Sequence, residues 1–503
     1  MPLADQSRAV LLVTLAIFLQ VLLAALDTTI VSTAMPTVAA ALGGMHLYSG
    51  VFSAYMIAST IATPIAGKLS DQFNRKKMYL ASITAFLATS MLCGVAPSMI
   101  WLIVCRALQG LAGGTMFAIS LSLVAVLYAP HERGKIQGII SSLWAIASMI
   151  GPPLGGYVVQ HLSWRWAFYL NLPVGILAMA FIHRFLHDPA TAGRQASIDY
   201  AGAAVLTTLV AGVMVLSNNL QAFSRLALLL SGAALVALLL VLVRIERRAA
   251  APIMPLALLR QGDIAAANLT TFVTGICTFG FIVFAPLFVQ GVLSGTATAA
   301  GLVLIPLSIG WGGGSFSSAH FLNRVGYRPV AMLGALFMIA GFGYLSFAMH
   351  SPTFAGIATV GFVIGTGMGL ATNVITVAVQ NSAAPQHIGT ATSSTIFSRA
   401  LGGAVGVSML GAILAGRVAA LVGGPAAGGA NGGLAEIRAL LLPETRAQIP
   451  PESFVHLQHG LAEGLHTVFA VCGVLSLAAF LVTLRVSARR PHEESKTLHS
   501  TVH

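Results

Sequence analysis

The sequence predicts an all-α polytopic membrane protein with fourteen transmembrane helices. Three observations carry that reading: the scarcity of charge, the length of the apolar runs, and the placing of the basic residues. Only 8% of the 503 residues are charged and 57% are hydrophobic, where a soluble domain carries about 25% charged residues. So few charges cannot cover a water-facing surface, whereas a bilayer accepts apolar stretches of ~20 residues as helices. The 52 glycines follow no collagen period and suit close packing of helices in lipid.

Apolar runs of spanning length lie at 9–36, 47–66, 79–96, 99–127, 136–159 and 167–186, then at 200–217 and 226–243. Six more lie at 264–290, 298–318, 330–349, 353–380, 394–415 and 465–485. The grouping is six, two and six. It gives an N-terminal six-helix bundle (1–190), two inserted helices (191–245), a cytoplasmic connector (246–263) and a C-terminal six-helix bundle (264–490). Residues 417–464, opening on GGPAAGGANGG from 423, read as one long external loop, and 491–503 as a cytoplasmic tail. An internal echo supports two related halves: GKLSDQFNRKK (67–77) follows the second run, and AHFLNRVGYR (319–328) follows the second run of the last group.

The net charge of +12 invites a nucleic-acid reading, which the distribution excludes. Basic residues collect in alternate short loops: Lys68, Arg75, Lys76 and Lys77; Arg133 and Lys135; Arg184 and Arg194; Arg244, Arg247, Arg248 and Arg260; Arg324 and Arg328; and the tail from Arg485. The intervening loops near 39–46, 97–99, 291–297 and 350–353 have neither Lys nor Arg. That asymmetry is the positive-inside pattern and places both termini in the cytoplasm. The start, MPLADQSR before a long apolar run, reads as a retained first span and not as a cleaved leader. Cys93, Cys105, Cys277 and Cys472 fall inside apolar runs without metal-ligand spacing and read as small buried hydrophobes. His456, His459 and His466 read as solvated loop histidines. No metal or cofactor is expected.

Four motifs carry chemistry. LDTTIVSTAMP (26–36) puts Asp27, the only acid well inside a predicted span, into hydrocarbon. Such a carboxylate is costly and is a functional hypothesis by default; desolvation disfavours its charged form, which a proton carrier needs. The plainer alternative is a carboxylate capping a kinked helix with Thr28 and Thr29. RALQGLAGG sets Arg106, Gln109, Gly110, Gly113 and Gly114 on one helix face. At 1.5 Å per residue, Arg106 lies roughly 10 Å and Asp27 roughly 15 Å below the outer ends of their spans. Depth permits a pair without showing one, and an arginine bonded to backbone carbonyls is the alternative. Gly138, Ala147 and the GPPLGG run (Gly151, Pro152, Pro153, Gly155, Gly156) make a bent, flat helix, either a rocking surface or ordinary tight packing. In the GKLSDQFNRKK loop, which runs from Gly67 past Arg75, Asp71 suits a helix N-terminus or a cation across the bundle interface. WRWAFYLNLP (164–173) looks like an interfacial aromatic anchor. Arg399, inside the thirteenth run, is either a buried pairing residue or a snorkelling one.

Taken together, these motifs resemble the major facilitator superfamily, and within it the fourteen-span drug:proton antiporters. The resemblance covers nearly the whole chain and is strongest over 20–175. It implies two six-helix bundles of the major facilitator fold with two helices inserted between them. It also implies proton coupling through Asp27 and Arg106, an antiporter signature in the fifth span, and a latch at Asp71. Ser32, Gln72, Asn74 and Ala147 depart from the usual residues; Gln72 removes a charge from the latch, and Asn74, tolerant of left-handed backbone, is expected to keep the turn. Thr28, Tyr55, Gln109 and Asn373 are the candidates for lining a substrate cavity. The function implied is proton-coupled efflux of lipophilic, cationic drugs or toxic compounds across the bacterial cytoplasmic (inner) membrane. A metabolite exporter or basic amino-acid transporter of the same fold is the alternative. The expected partners are a small-molecule substrate, protons and lipid, acting on a monomer, with a periplasmic adaptor if the cell is Gram-negative. An enzyme would need nucleophile, base or phosphate-binding groups clustered at one depth, and none is legible. A channel would need a continuous polar lining.

Overall fold

A computed structural model describes residues 3–42, 48–186, 199–218, 225–249, 252, 261–295, 297–348, 353–422 and 451–485. The chain folds first into α1 (Leu3–Leu42), α2 (Tyr48–Gln72), α3 (Arg75–Gly94), α4 (Met99–Leu127), α5 (Pro130–His161), α6 (Trp166–Tyr169) and α7 (Asn171–Phe185). These helices pack on one another, α2 and α3 on α4, and α5 and α7 on α1. A second group holds α10 (Gly262–Gly291), α11 (Ala297–Leu302), α12 (Ile305–Val325), α13 (Tyr327–Gly343), α14 (Phe354–Ser382), α15 (Ile388–Val422) and α16 (Pro451–Thr483). Here α12 and α13 pack on α14, and α15 and α16 on α10. Between the groups in sequence, α8 (Tyr200–Asn218) and α9 (Arg225–Arg248) pair with each other and lean on α2 and α15.

Among the described residues, twelve helices are long and apolar enough to cross a bilayer. The expected fourteen include α5, which opens with Glu132, Arg133 and Lys135, and α8, whose apolar stretch runs only over Tyr200–Val213. The outer faces confirm the solvent: Leu226, Leu229, Leu230 and Leu240 of α9 are exposed, an arrangement that water would penalise and lipid favours. All four cysteines are buried and free.

Local sequence explains the breaks. The run 298–318 is split where Pro306 begins α12; Pro is tolerated in a first turn but forces the preceding chain out of helix. Asn74 does not use left-handed backbone: at φ −62° it caps α3, its side chain accepting the Lys77 N–H at 2.9 Å. In the echo, the equivalent position before α13 is Gly326 at φ 89°, a conformation suited to glycine.

The long external loop needs correction. Helix α15 runs on to Val422 and α16 begins at Pro451, so both ends of 417–464 are helical and only 423–450 lies outside the described residues. Apolar Phe454, Leu457, Leu461 and Leu465 recur at helical spacing and pack against the core of the second group, although the intervening polar residues hide the run from a hydropathy scan. His456, His459 and His466 therefore sit on α16, with His466 stacked on Phe288, and no group of the described residues could hold a metal ion. The tail 491–503 and most of the connector 246–263 also lie outside the described residues.

Candidate functional site

Asp27 sits midway along α1 with no exposed surface, and Arg106 of α4 is almost as deeply buried. The Arg106 Nη1 donates to Asp27 Oδ2 at 2.6 Å and to Gln109 Oε1 at 2.7 Å. Gln109 Nε2 donates to Asp27 Oδ1 at 3.2 Å. A third helix adds Asn171, whose Nδ2 donates to the same Oδ1 at 2.7 Å and to Ser90 Oγ at 2.9 Å. The Tyr55 ring from α2 closes the remaining side, with the guanidinium carbon 4.2 Å from its centroid. Four side chains from α2, α4 and α7 thus surround the one carboxylate of α1. Charge-assisted bonds of this kind are the strong ones, and in a dry interior their loss is expensive.

The spacing of RALQGLAGG produces this geometry. Arg106 and Gln109, three residues apart, turn toward α1, while Gly110 and Gly114 let the α2 backbone at Tyr55 and Ser59 come into contact. Asn171 was not legible, because it lies in an aromatic segment whose anchoring role dominates the pattern; its one signal is that it is polar at the start of the apolar α7. The capping alternative for Asp27 is not what is seen. Thr28 donates to the Ala24 carbonyl and Thr29 to those of Ala25, Leu26 and, on α5, Ala147, and neither bonds the carboxylate.

Asn373 does not join this cluster. Its amide donates to Ser315 O at 3.0 Å, Ser318 Oγ at 2.5 Å and Gly134 O at 3.2 Å, knitting α14, α12 and α5 together at the basic end of the bundle. Other bonds join the two groups there. Asp71 accepts the backbone N–H groups of Gly389 (2.9 Å) and Thr390 (2.8 Å) and the Thr390 hydroxyl (2.9 Å), with Arg75 3.3 Å away. Arg133 donates to Gln380 O and Asn381 Oδ1, Gln380 to Leu121 O, and Asn323 to His131 O. Gly67 permits the contact between α2 and α15, since a Cβ there would overlap Ser393 and the Gly389 carbonyl.

The fifth-span motif divides between two partners. Near the basic end Gly138 lies against Ser315 and Phe316 of α12, across the group interface. Higher up, Gly151 and Gly155 face Thr29, Ile30 and Thr33 of α1 within their own group, and Gly156 meets nothing within 4 Å. The expected contact through Gly156 is therefore absent: it is one residue, 100° around the helix, from the face that Gly155 presents to α1. The side chain of Pro152 lies outside the described residues.

Membrane-length helices in two packed groups, sealed together at one end and enclosing a buried ion pair, define a multi-pass membrane transporter. The family model described as Major Facilitator Superfamily matches residues 17–407, and the chain belongs to that superfamily. Its relatives include "Multidrug transporter protein MdtP" of Bacillus subtilis (strain 168), 35% identical over 425 residues, which cover 82% of this chain and 76% of that one. "Multidrug resistance protein 3" of the same organism is 29% identical over 488 residues, 95% of each chain. "Multidrug efflux pump SdrM" of Staphylococcus aureus (strain N315) is 27% identical over 404 residues, 80% of this chain and 89% of that one. Among solved structures, the human organic anion transporter MFSD10 (TETRAN) superposes with a TM-score of 0.64 at 14% identity, covering 94% of this chain and 99% of that one. The proton:xylose symporter XylE gives 0.62 at 14% identity, with 97% and 98% covered. These two likenesses concern the fold alone.

Proposed function

We propose that this chain exports lipophilic drugs or toxic compounds across the bacterial cytoplasmic membrane in exchange for protons, using fourteen spans with both termini in the cytoplasm. The names of the relatives support the cargo class, and the positive-inside pattern supports the orientation. The observation that carries proton exchange is the fully buried Asp27 carboxylate held by Arg106 at 2.6 Å.

In this reading the proton is taken up on Asp27, which becomes neutral and releases its ion pair with Arg106. Gln109 and Asn171 keep the carboxyl oriented in both forms. The conformer sealed at the basic end holds Asp71 against the start of α15; opening that end breaks three hydrogen bonds to a charged acceptor, each worth about 1.5–3 kcal/mol. Substrate loading and proton release at the open basic end would then be offset by re-forming the Asp27–Arg106 pair. The resemblance also implies cationic cargo. Arg399, which has no carboxylate within bonding distance among the described residues, is positive and works against that part.

The test uses the purified chain in proteoliposomes with the neutral dye Nile red. An imposed pH gradient is expected to drive dye movement in the wild type. Dye movement indifferent to the gradient would overturn the proposal.

A further inference from the structure

Arg399 lies eleven residues into α15, roughly 16 Å from its start at 1.5 Å per residue, too deep for the side chain to reach the basic end. Nor does it pair: among the described residues the salt bridges join Arg75 to Asp71 and Arg106 to Asp27, and no carboxylate lies within bonding distance of Arg399. Its guanidinium carbon instead sits 5.6 Å from the centre of the Trp311 ring on α12.

The helices that carry these two residues rest on different neighbours. Helix α15 packs on α10 and α2, and α12 packs on α14 and α5. Beside Trp311, Gly312 lies against Ser142 and Ala145 of α5. Two residues before Arg399, Phe397 clusters with Ile61 of α2. The Arg–Trp contact therefore bridges two flanks of the second group on the side that faces the first. Helix geometry agrees: Phe397 and Leu401 line an apolar cavity of about 350 Å³ with α8 and α9, and Arg399, two residues from each, points about 200° away from it.

Both polar groups at this spot are donors only. The Trp311 indole N–H is buried and has no acceptor. The Asp27–Arg106 pair of the first group is already neutral and is walled off by Tyr55, so it offers Arg399 no counter-charge, and among the described residues no other carboxylate is within bonding distance of it. A planar guanidinium without a counter-ion matches a carboxylate or sulfonate, and the indole beside it suits an aromatic body. We propose that Arg399 and Trp311 form an anion subsite that takes the acidic end of a lipophilic aromatic anion. This rests on the export reading for direction of movement, and not for binding itself.

The test is equilibrium binding to the purified full-length chain of two probes with the same apolar body, pyrenebutanoate and a pyrenebutyl trimethylammonium. The wild type is expected to bind the anion at least tenfold more tightly. Arg399→Gln should remove that preference and Arg399→Lys should keep it. If Arg399→Gln fails to insert, the wild-type preference and its loss of affinity in Trp311→Ala decide. Equal or inverted preference, no binding of either probe, or a preference that survives Arg399→Gln would overturn the subsite. Anion binding without gradient-driven movement would instead defeat the export reading and leave the subsite standing.

Discussion

Asp71 and Thr390, 319 residues apart, are joined by two hydrogen bonds, from the Thr390 N–H at 2.8 Å and its hydroxyl at 2.9 Å, both to Asp71 Oδ2. The carboxylate of one helical group thus sits at the first turn of α15 in the other, where unsatisfied N–H groups and the helix dipole favour negative charge. The bond connects a loop-flanking motif to the opening of the whole basic end.

Asp71→Asn is expected to loosen that end. An amide accepts on one atom only and presents an NH2 to the N–H groups of Gly389 and Thr390, so about 1.5–3 kcal/mol of sealing is lost. Labelling of a Ser393→Cys reporter by a membrane-impermeant maleimide added from the basic side is expected to speed up several-fold. An unchanged labelling rate would show that the seal depends on the remaining contacts.

A second expectation separates stability from coupling at Asp27. Removing its charge alone leaves Arg106 buried without a counter-ion, a penalty of about 3–5 kcal/mol. Asp27→Asn should therefore lower thermal stability in detergent as well as stop gradient-driven transport. Adding Arg106→Gln should recover much of the stability and none of the transport. Recovery of transport in the double variant would remove Asp27 from the role of proton carrier.

The glycines of the fifth-span motif are predicted to differ sharply. A side chain at Gly155 runs into Thr33 and the Ile30 backbone, whereas Gly156 has open space. Gly155→Leu is expected to destabilise by about 1–3 kcal/mol or to impair transport, and Gly156→Leu to behave like wild type. Equal damage from both, measured by melting temperature and dye efflux, would mean that Gly156 finds a partner in another conformer.

Asp27, Arg106 and Gln109 were legible because an acid in an apolar run and a period of three to four on a neighbouring run are local patterns. What each face meets is not local. The motif grouped Gly155 with Gly156, but adjacent residues point 100° apart, and which of the two meets a neighbour depends on where α1 lies. Asn373, a candidate for lining the cavity, has three acceptors that come from α5 and α12, distant in sequence. Arg399 stayed open between pairing and snorkelling, since neither the absence of a nearby carboxylate nor the reach to Trp311 is encoded within its own helix. The stretch 451–464 of α16 was hidden because its polar residues lower the average that a hydropathy scan reads.

The charge of the cargo sets which force drives export. If one proton on Asp27 moves inward for each monoanion moved outward, both movements carry charge the same way, and two charges cross per cycle. A membrane potential worth ~2.3 kcal/mol per charge per 100 mV then contributes about 4.6 kcal/mol per 100 mV, beside ~1.4 kcal/mol per unit of pH gradient. A neutral cargo would feel half that electrical term, and a monocation none. With pyrenebutanoate in proteoliposomes, export is therefore expected to persist when the pH gradient is collapsed by an electroneutral exchanger, provided a potassium–valinomycin potential is maintained. It should fall steeply when the potential is collapsed instead. Current recorded on a supported membrane should have the sign of positive charge moving with the proton. Anion export that ignores the potential, or that carries no current, would rule out exchange of one proton for one anion at this site.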